Sequence, residues 1–307
     1  MITKETTAGM TREQWVSLRA KTIGGSDAAC IVGLNPFKSA YSLWAEKTGK
    51  TPAFTGNLAT EVGTFLEPFV AQLFEKETGK KVRRENAIIR NSEHPFAHAN
   101  VDRMVIGEDA GLEIKTTSAL SLGKFKGGEY PANYYVQCVH YMAVTGKKRW
   151  YLAVLIGNSD FRIFTIERDE DEIRALMEAE RTFWEHWQSN TPVEPDGSES
   201  TSDAIHTIYR GGSGDCDLMP VSSELMMVRK LDGQIKELQK LSDEHKNRIM
   251  SYMGNCESGA YGDFRVTWKP QTRQTFDHRK FRADHPMMDL TPYYKTSESR
   301  PFKLKEA

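Results

Sequence analysis

Three side chains near the middle of the chain are of the types that phosphate chemistry needs. Glu113 and Lys115 flank Ile114 in the run GLEIK (111–115), and Asp102 stands eleven residues before Glu113. On a strand, residues i and i+2 share a face, so Glu113 and Lys115 point together while Ile114 turns to the core. Asp102 is expected on the strand that pairs with GLEIK across the turn GEDAG (107–111). Two carboxylates on adjacent strands suit a hard divalent cation such as Mg²⁺, with the backbone carbonyl of Ile114 as a further oxygen. A neighbouring lysine would orient and help deprotonate the attacking water and neutralise phosphate charge. The same E-x-K spelling recurs at Glu244-His-Lys246. That second copy lies in a helical stretch, where i and i+2 diverge by about 200°. Only the first pair can converge, although spacing alone equally allows a set of charges on a solvated hairpin.

The elements that must position these residues are legible from pattern. TREQ (11–14) is a capping box that opens a short helix containing Trp15, Leu18 and Arg19. A double glycine then makes a tight turn, Ser26 or Asp27 is expected to cap a second helix, and a third starts at Ser39 and stops at Gly49. Residues 61–78 place Val62, Leu66, Phe69 and Leu73 on a helical stripe, with Pro68 predicted to disturb the bond near Thr64. Trp44, Phe65, Phe69 and Tyr141 are expected in the core. From residue 81 the texture becomes extended in KVRRENAIIR (81–90), FAHANVDRMVI (96–106) and GLEIKTT (111–117). A helix over 132–145, a hairpin of 149–157 with 161–168, and a helix over 169–188 follow. This order predicts an α/β fold with a mixed central sheet flanked by helices. Residues 190–220 read as a linker, 222–253 as a long amphipathic helix repeating near 3.5 residues, and 262–269 and 300–304 as short strands. The expected division is a core of 1–200 and a C-terminal extension of 201–307, helical with short strands.

Composition excludes several classes. No apolar run approaches the roughly 18 residues of a membrane span, and the first eleven residues lack a secretory stretch, so a cytoplasmic protein is expected. The four cysteines, Cys30, Cys138, Cys216 and Cys256, form no C-x-x-C pair, which argues against a disulfide framework, a zinc ribbon or an iron–sulfur cluster. Reduced, mostly buried thiols are expected. A net charge of -1 is silent on nucleic acid, since the local field decides. Residues 265–307 carry ten Lys or Arg against five acids, a basic tail. His140 reads as an ordinary polar residue of an amphipathic helix.

Asp102 and Glu113-Ile-Lys115, preceded by Glu67 on one helix and followed by Gln137 on another, resemble the PD-(D/E)xK nuclease superfamily. More narrowly, GGSDAACIVGLNPFKSAYSLWAEKTG, GTFLEPFVAQLF and YYVQCVHYMAVTGKKRWYLAVL resemble the YqaJ-type viral recombinases, which include the phage lambda exonuclease. The resemblance covers residues 12 to about 188, in the family order. It implies a restriction-endonuclease-like core and a Mg²⁺-dependent exonuclease, with two ions and Mn²⁺ as a substitute. The enzyme would resect the 5′ strand of linear double-stranded DNA and leave 3′ overhangs for a single-strand annealing protein. The resemblance further implies a homo-oligomer, a ring of three subunits, in a phage or prophage protein of a bacterial cytoplasm. By motif match, Asp102 and Glu113 would bind metal with the Ile114 carbonyl, Glu67 would join through water, Lys115 would activate the nucleophilic water, and Gln137 would support the lysine or a water. Arg19, Ser26 and Asn100 would grip the terminal 5′-phosphate. Val101 replaces the family's usual proline, and the basic residue that follows the E-x-K strand has no counterpart at the same spacing, leaving Lys124 or Lys126 for that role. A structure- or site-specific endonuclease, and a non-catalytic DNA-end-binding scaffold, are the alternatives.

Overall fold

The computed structural model describes residues 1–212 and 214–305, so Ser213 of the expected linker and the last two residues of the basic tail lie outside the described residues. The order of elements is β1 (Ile2–Thr6), α1 (Arg12–Arg19), β2 (Ile23–Gly24), α2 (Gly25–Ile31), α3 (Ala40–Lys47) and α4 (Leu58–Thr78). Then come β3 (Val82–Arg84), β4 (Ala87–Asn91), β5 (Ala97–His98), β6 (Arg103–Val105), β7 (Ala110–Thr117), α5 (Ala132–Thr145), β8 (Arg149–Ile156), β9 (Asp160–Glu167), α6 (Glu170–Gln188) and α7 (Glu199–Ile208). The rest comprises α8 (Ser222–Met253), β10 (Ser258–Tyr261), β11 (Phe264–Thr267) and α9 (His278–Asp284).

The main sheet has the order β3-β6-β7-β8-β9. β7 and β8 run parallel across the α5 crossover, and the other neighbours are antiparallel, which gives the expected mixed sheet. Alternation sorts the two faces. Leu112 and Ile114 of β7 and Tyr151, Ala153 and Leu155 of β8 pack with Val70, Ala71 and Phe74 of α4. On the other face, Trp150, Leu152, Val154 and Ile156 meet Val139, Met142 and Ala143 of α5 and Ile173, Leu176 and Met177 of α6. β7 therefore has an apolar face toward α4 and sends Glu113 and Lys115 toward α5.

Several expectations change. The run 81–90 divides into β3, in the main sheet, and β4, which pairs with the unanticipated β1. The run 96–106 likewise divides, β5 pairing parallel with β2 and β6 antiparallel with β7. α4 starts at the Asn57 cap and runs through Pro68, and its buried residues are Val70, Ala71 and Phe74. Phe65 is 84% exposed and Phe69 49%, so neither is core, whereas Trp44 and Tyr141 are. Of the cysteines, all free, Cys30 and Cys138 are buried but Cys216 and Cys256 are exposed.

One compact unit spans Met1–Tyr209 and a second Arg210–Ala307. The boundary expected after residue 200 would cut α7, which the linker reading missed. α7 docks on α3, with Thr201 Oγ1 donating to Ser39 Oγ at 2.8 Å. In the second unit α8 spans the expected residues and buries only Met253 among the described residues, while 300–304 form no strand. No helix among the described residues is long and apolar enough to cross a membrane.

Candidate active site

Asp102 lies just before β6, where that strand parts from β7, rather than within the strand. The ladder pairs Met104 with Gly111 and Arg103 with Leu112, then stops. Beyond the break, the Ile114 N–H donates to Asp102 Oδ2 at 2.8 Å. A buried amide left alone costs about 1–3 kcal/mol, so the interrupted ladder both needs this carboxylate and fixes it.

Glu113 and Lys115 leave the same face of β7 and meet Gln137 of α5. Lys115 Nζ is 2.6 Å from Glu113 Oε1 and donates to Gln137 Oε1 at 2.8 Å. The Gln137 amide donates to Glu113 Oε1 and to the Tyr141 hydroxyl, each at 2.8 Å. Those partners set the amide's orientation, carbonyl toward the cation and NH₂ toward carboxylate and phenol. The Tyr134 ring closes the lysine's other side, with its centroid 5.4 Å from Nζ. Glu67 reaches the cluster through Arg103, which donates to Glu67 Oε1 and to the Asp102 carbonyl.

The cluster is rich in negative charge. Burial, then the Glu113 carboxylate, push Asp102 well above the usual carboxylate range, against the pull of Lys115. Burial disfavours the Lys115 ammonium, but Glu113 and Asp102 outweigh it and hold the lysine above its ordinary value, so it is a cation. Glu113 Oε2 is buried without a hydrogen-bond partner among the described residues. Among the described residues no three His, Cys, Asp or Glu side chains form a ready metal cage. What is present suits a small hard cation that uses one or two carboxylates and keeps several waters. Asp102, Glu113 Oε2 and the Ile114 carbonyl could hold it, with Glu67 acting through water.

Beside this cluster stand residues of the expected end-binding group. The Arg19 guanidinium lies 4.2 Å from the centroid of the Trp15 ring, and its Nε, like Asn100 Nδ2, is buried without a hydrogen-bond partner among the described residues. The double glycine brings this corner against α5: a Cβ on Gly25 would sit 2.6 Å from Tyr141 Cε1 and 3.2 Å from Gln137 Cγ. Gly24, not Ser26 or Asp27, occupies the cap of α2, and Asp27 accepts its N–H at 3.1 Å. Ser26 is exposed on that seven-residue helix. Lys124 and Lys126 are exposed on the 3-10 segment Ala119–Gly128 and make no bond to the cluster among the described residues. The decoy Glu244 and Lys246 sits on exposed α8, where Lys246 pairs with Asp243.

Sequence reasoning missed Arg103, Tyr134, the polar role of Tyr141, and His98. For the tyrosines a signal existed: positions 134 and 141 stand three before and four after Gln137, on one helix face. His140 also departs from expectation. It is fully buried, its Nδ1 2.7 Å from Glu180 Oε1 and its Nε2 donating to the His98 carbonyl at 2.9 Å.

Residues 14–148 match the YqaJ-like viral recombinase domain. The chain is 37% identical over 304 residues to the uncharacterized protein YqaJ of Bacillus subtilis, covering 97% of this chain and 95% of that protein. Protein D345L of African swine fever virus is 36% identical over 63 residues, 20% of this chain and 18% of that protein. Among solved structures, the alkaline exonuclease LHK-Exo of Laribacter hongkongensis shares the fold, with a TM-score of 0.50 and 21% identity over 58% of this chain and 94% of that one.

Proposed function

From the premise that the chain belongs to the YqaJ-like viral recombinase family, we propose that it is a metal-dependent deoxyribonuclease that resects linear duplex DNA. The direction is 5′ to 3′, and the product is a 3′ single-stranded overhang. The observation that carries this reading is the cluster on β7: Glu113, Lys115 and Gln137 are joined at 2.6–2.8 Å, the Ile114 amide holds Asp102 beside them at 2.8 Å, and one buried Glu113 oxygen has no hydrogen-bond partner among the described residues. A pair of Mg²⁺ ions, or Mn²⁺ in their place, would supply the activated water and offset charge on the leaving oxygen.

The chain's own residues divide the remaining work. Asp102, Glu113 and the Ile114 carbonyl would hold the metal, with Glu67 acting through water. Lys115, a cation gripped by Glu113 and Gln137, orients the attacking water and offsets charge on the scissile phosphate. Gln137 keeps that ammonium in place. Arg19, with its planar fork, takes the terminal 5′-phosphate together with Asn100 and Ser26. Lys124 and Lys126 steer the strand beyond the end. A ring of three subunits around the duplex reconciles a net charge of -1 with DNA binding, since basic groups need only line the channel. The 3′ overhang would pass to a single-strand annealing protein.

The test is incubation with Mg²⁺ and linear duplex labelled separately at each end, beside a covalently closed plasmid. Loss of label from 5′ ends, abolished by EDTA, is the expected result. A closed plasmid cut as readily as a linear one would overturn the exonuclease reading and favour an endonuclease, and no cleavage of either would leave a binding scaffold.

A further inference from the structure

Next to Arg19 lies a histidine that the catalytic cluster does not use. His98 ends β5 and is 1% exposed. Its carbonyl accepts from His140 Nε2 at 2.9 Å, and His140 is held in turn by Glu180 of α6. Its ring is held from the other side: Nδ1 is 2.9 Å from Thr22 Oγ1, and Arg90 Nη1 donates to that same hydroxyl oxygen at 3.1 Å. Thr22 Oγ1 accepts from Arg90 and has no acceptor for its own proton other than His98 Nδ1 among the described residues, which places the ring proton on Nε2. Burial, then the Arg19 charge, push the imidazole down to about 3, so the ring is neutral and keeps that single proton at neutral pH.

His98 Nε2 has no hydrogen-bond partner among the described residues, although it is buried. That edge of the ring packs against Gly24. A Cβ on Gly24 would lie 3.1 Å from His98 Nε2 and 3.8 Å from Arg19 Nη2. Among the described residues two buried nitrogens lack partners, Arg19 Nε and His98 Nε2, and their side chains both pack against Gly24. A buried N–H left alone costs about 1–3 kcal/mol. A tetrahedral oxyanion would satisfy both, and the neutral ring would donate without adding charge.

We propose that His98 is a further phosphate-binding residue of the DNA-end pocket, its Nε2–H presented by Thr22 and Arg90 to the same terminal phosphate oxygens that Arg19 takes. This rests on the 5′-end reading above. It also assigns Thr22 and Arg90 as positioning residues, because they set the tautomer without touching DNA, and it gives Gly24 its reason, since a methyl there would intrude on both donors.

The experiment compares degradation of linear duplexes bearing 5′-phosphoryl and 5′-hydroxyl ends by the parent protein and by Arg19→Ala, His98→Ala, His98→Gln and Thr22→Val, with kcat and KM measured separately. One hydrogen bond to a charged group is worth roughly 1.5–3 kcal/mol, so His98→Ala should lower the phosphoryl-to-hydroxyl ratio of kcat/KM by about tenfold or more, chiefly through KM. His98→Gln, which retains an amide donor, should recover part of it. Thr22→Val should move the ring proton, read from the ¹⁵N shifts of His98 in the folded protein, and lower the ratio. A parent-like ratio in a folded His98→Ala, with Arg19→Ala reduced, would overturn the proposal while leaving the end pocket standing. A ring proton found on Nδ1 in the parent would overturn it independently of any variant's folding. No preference for the phosphoryl end in the parent would overturn the 5′-end reading, and the proposal with it.

Discussion

Lys115 and Asp102 are perturbed in the same direction by opposite logic, and this separates their roles. The lysine is held charged by Glu113 and Asp102, so in the proposed nuclease its role is that of a fixed cation beside the attacking water. Lys115→Ala should lower kcat roughly 10²- to 10⁴-fold, the range for a removed catalytic group, with duplex binding in Ca²⁺ largely retained by fluorescence anisotropy. Unchanged turnover would refute the assignment. Asp102 carries a carboxylate whose charge is disfavoured by burial and by Glu113. Asp102→Asn keeps an oxygen for the Ile114 amide while removing that charge. The metal-free variant should therefore unfold at higher temperature than the parent, by the order of 1 kcal/mol, yet lose the stabilisation that Mg²⁺ confers on the parent. A calorimetric scan with and without Mg²⁺ separates the two effects.

At the level of elements, β7 was readable because its alternation is strict: apolar residues at 112 and 114, charged ones at 113 and 115. A period of two specifies a face without reference to the rest of the fold. α4 was read only in part, since Leu66 and Leu73 of the expected stripe pack against the sheet but Val62 and Phe69 belong to a second, exposed stripe. Val62, Phe65 and Phe69 are exposed, whereas Val70, Ala71 and Phe74 meet the sheet. Helical periodicity reveals that a stripe exists but not which of two faces the sheet. Phe74→Ala should thus cost about 3–5 kcal/mol in denaturant unfolding, and Phe65→Ala should stay within about 0.5 kcal/mol. Equal costs would return Phe65 to the core. The α2 turn carries a tighter constraint, because a Cβ on Gly25 meets the Tyr141 ring and Gln137 at once. Gly25→Ala should impair kcat by displacing Gln137 from Lys115, even where the protein folds, and this is checked by steady-state kinetics on the purified variant.

For the whole molecule, two buried groups give the metal-free protein opposite pH slopes. Asp102 is raised, so above the ordinary carboxylate value the folded state holds a proton that the unfolded chain has released, and stability falls as pH rises through that window. His98 is lowered to about 3, so below the ordinary imidazole value the unfolded chain takes a proton that the folded state refuses, and stability falls as pH drops toward 3. Relative to the parent, melting temperatures in EDTA should accordingly fall less steeply in His98→Gln as pH drops below 6.5, and less steeply in Asp102→Asn as pH rises above 3.8. Mg²⁺ binding to the parent should release protons, visible as a buffer-dependent heat in titration calorimetry. The exposed α4 stripe, with Leu58 in series, is an unusual amount of apolar surface for an isolated subunit. If it is covered in the proposed ring of three, Phe65→Asp should lower the sedimentation coefficient toward that of a monomer. An unchanged value would place the interface elsewhere.

The sequence by itself determined the α/β order, the shared face of Glu113 and Lys115, and the arrival of Gln137 on a following helix, because these depend on local periodicity and chain order. It also marked the double glycine as a turn. Only the tertiary structure decided that the β6–β7 ladder breaks at Asp102, that Glu67 reaches the site through Arg103, and that α7 belongs with the first unit. His98 was silent in sequence for the same reason. Its neighbours are Arg19, Thr22 and Gly24, 74 to 79 residues earlier, and Arg90 on a different strand. A side chain whose meaning lies in which groups surround it has no period and no spacing to betray it, and only folding brings those groups to one place.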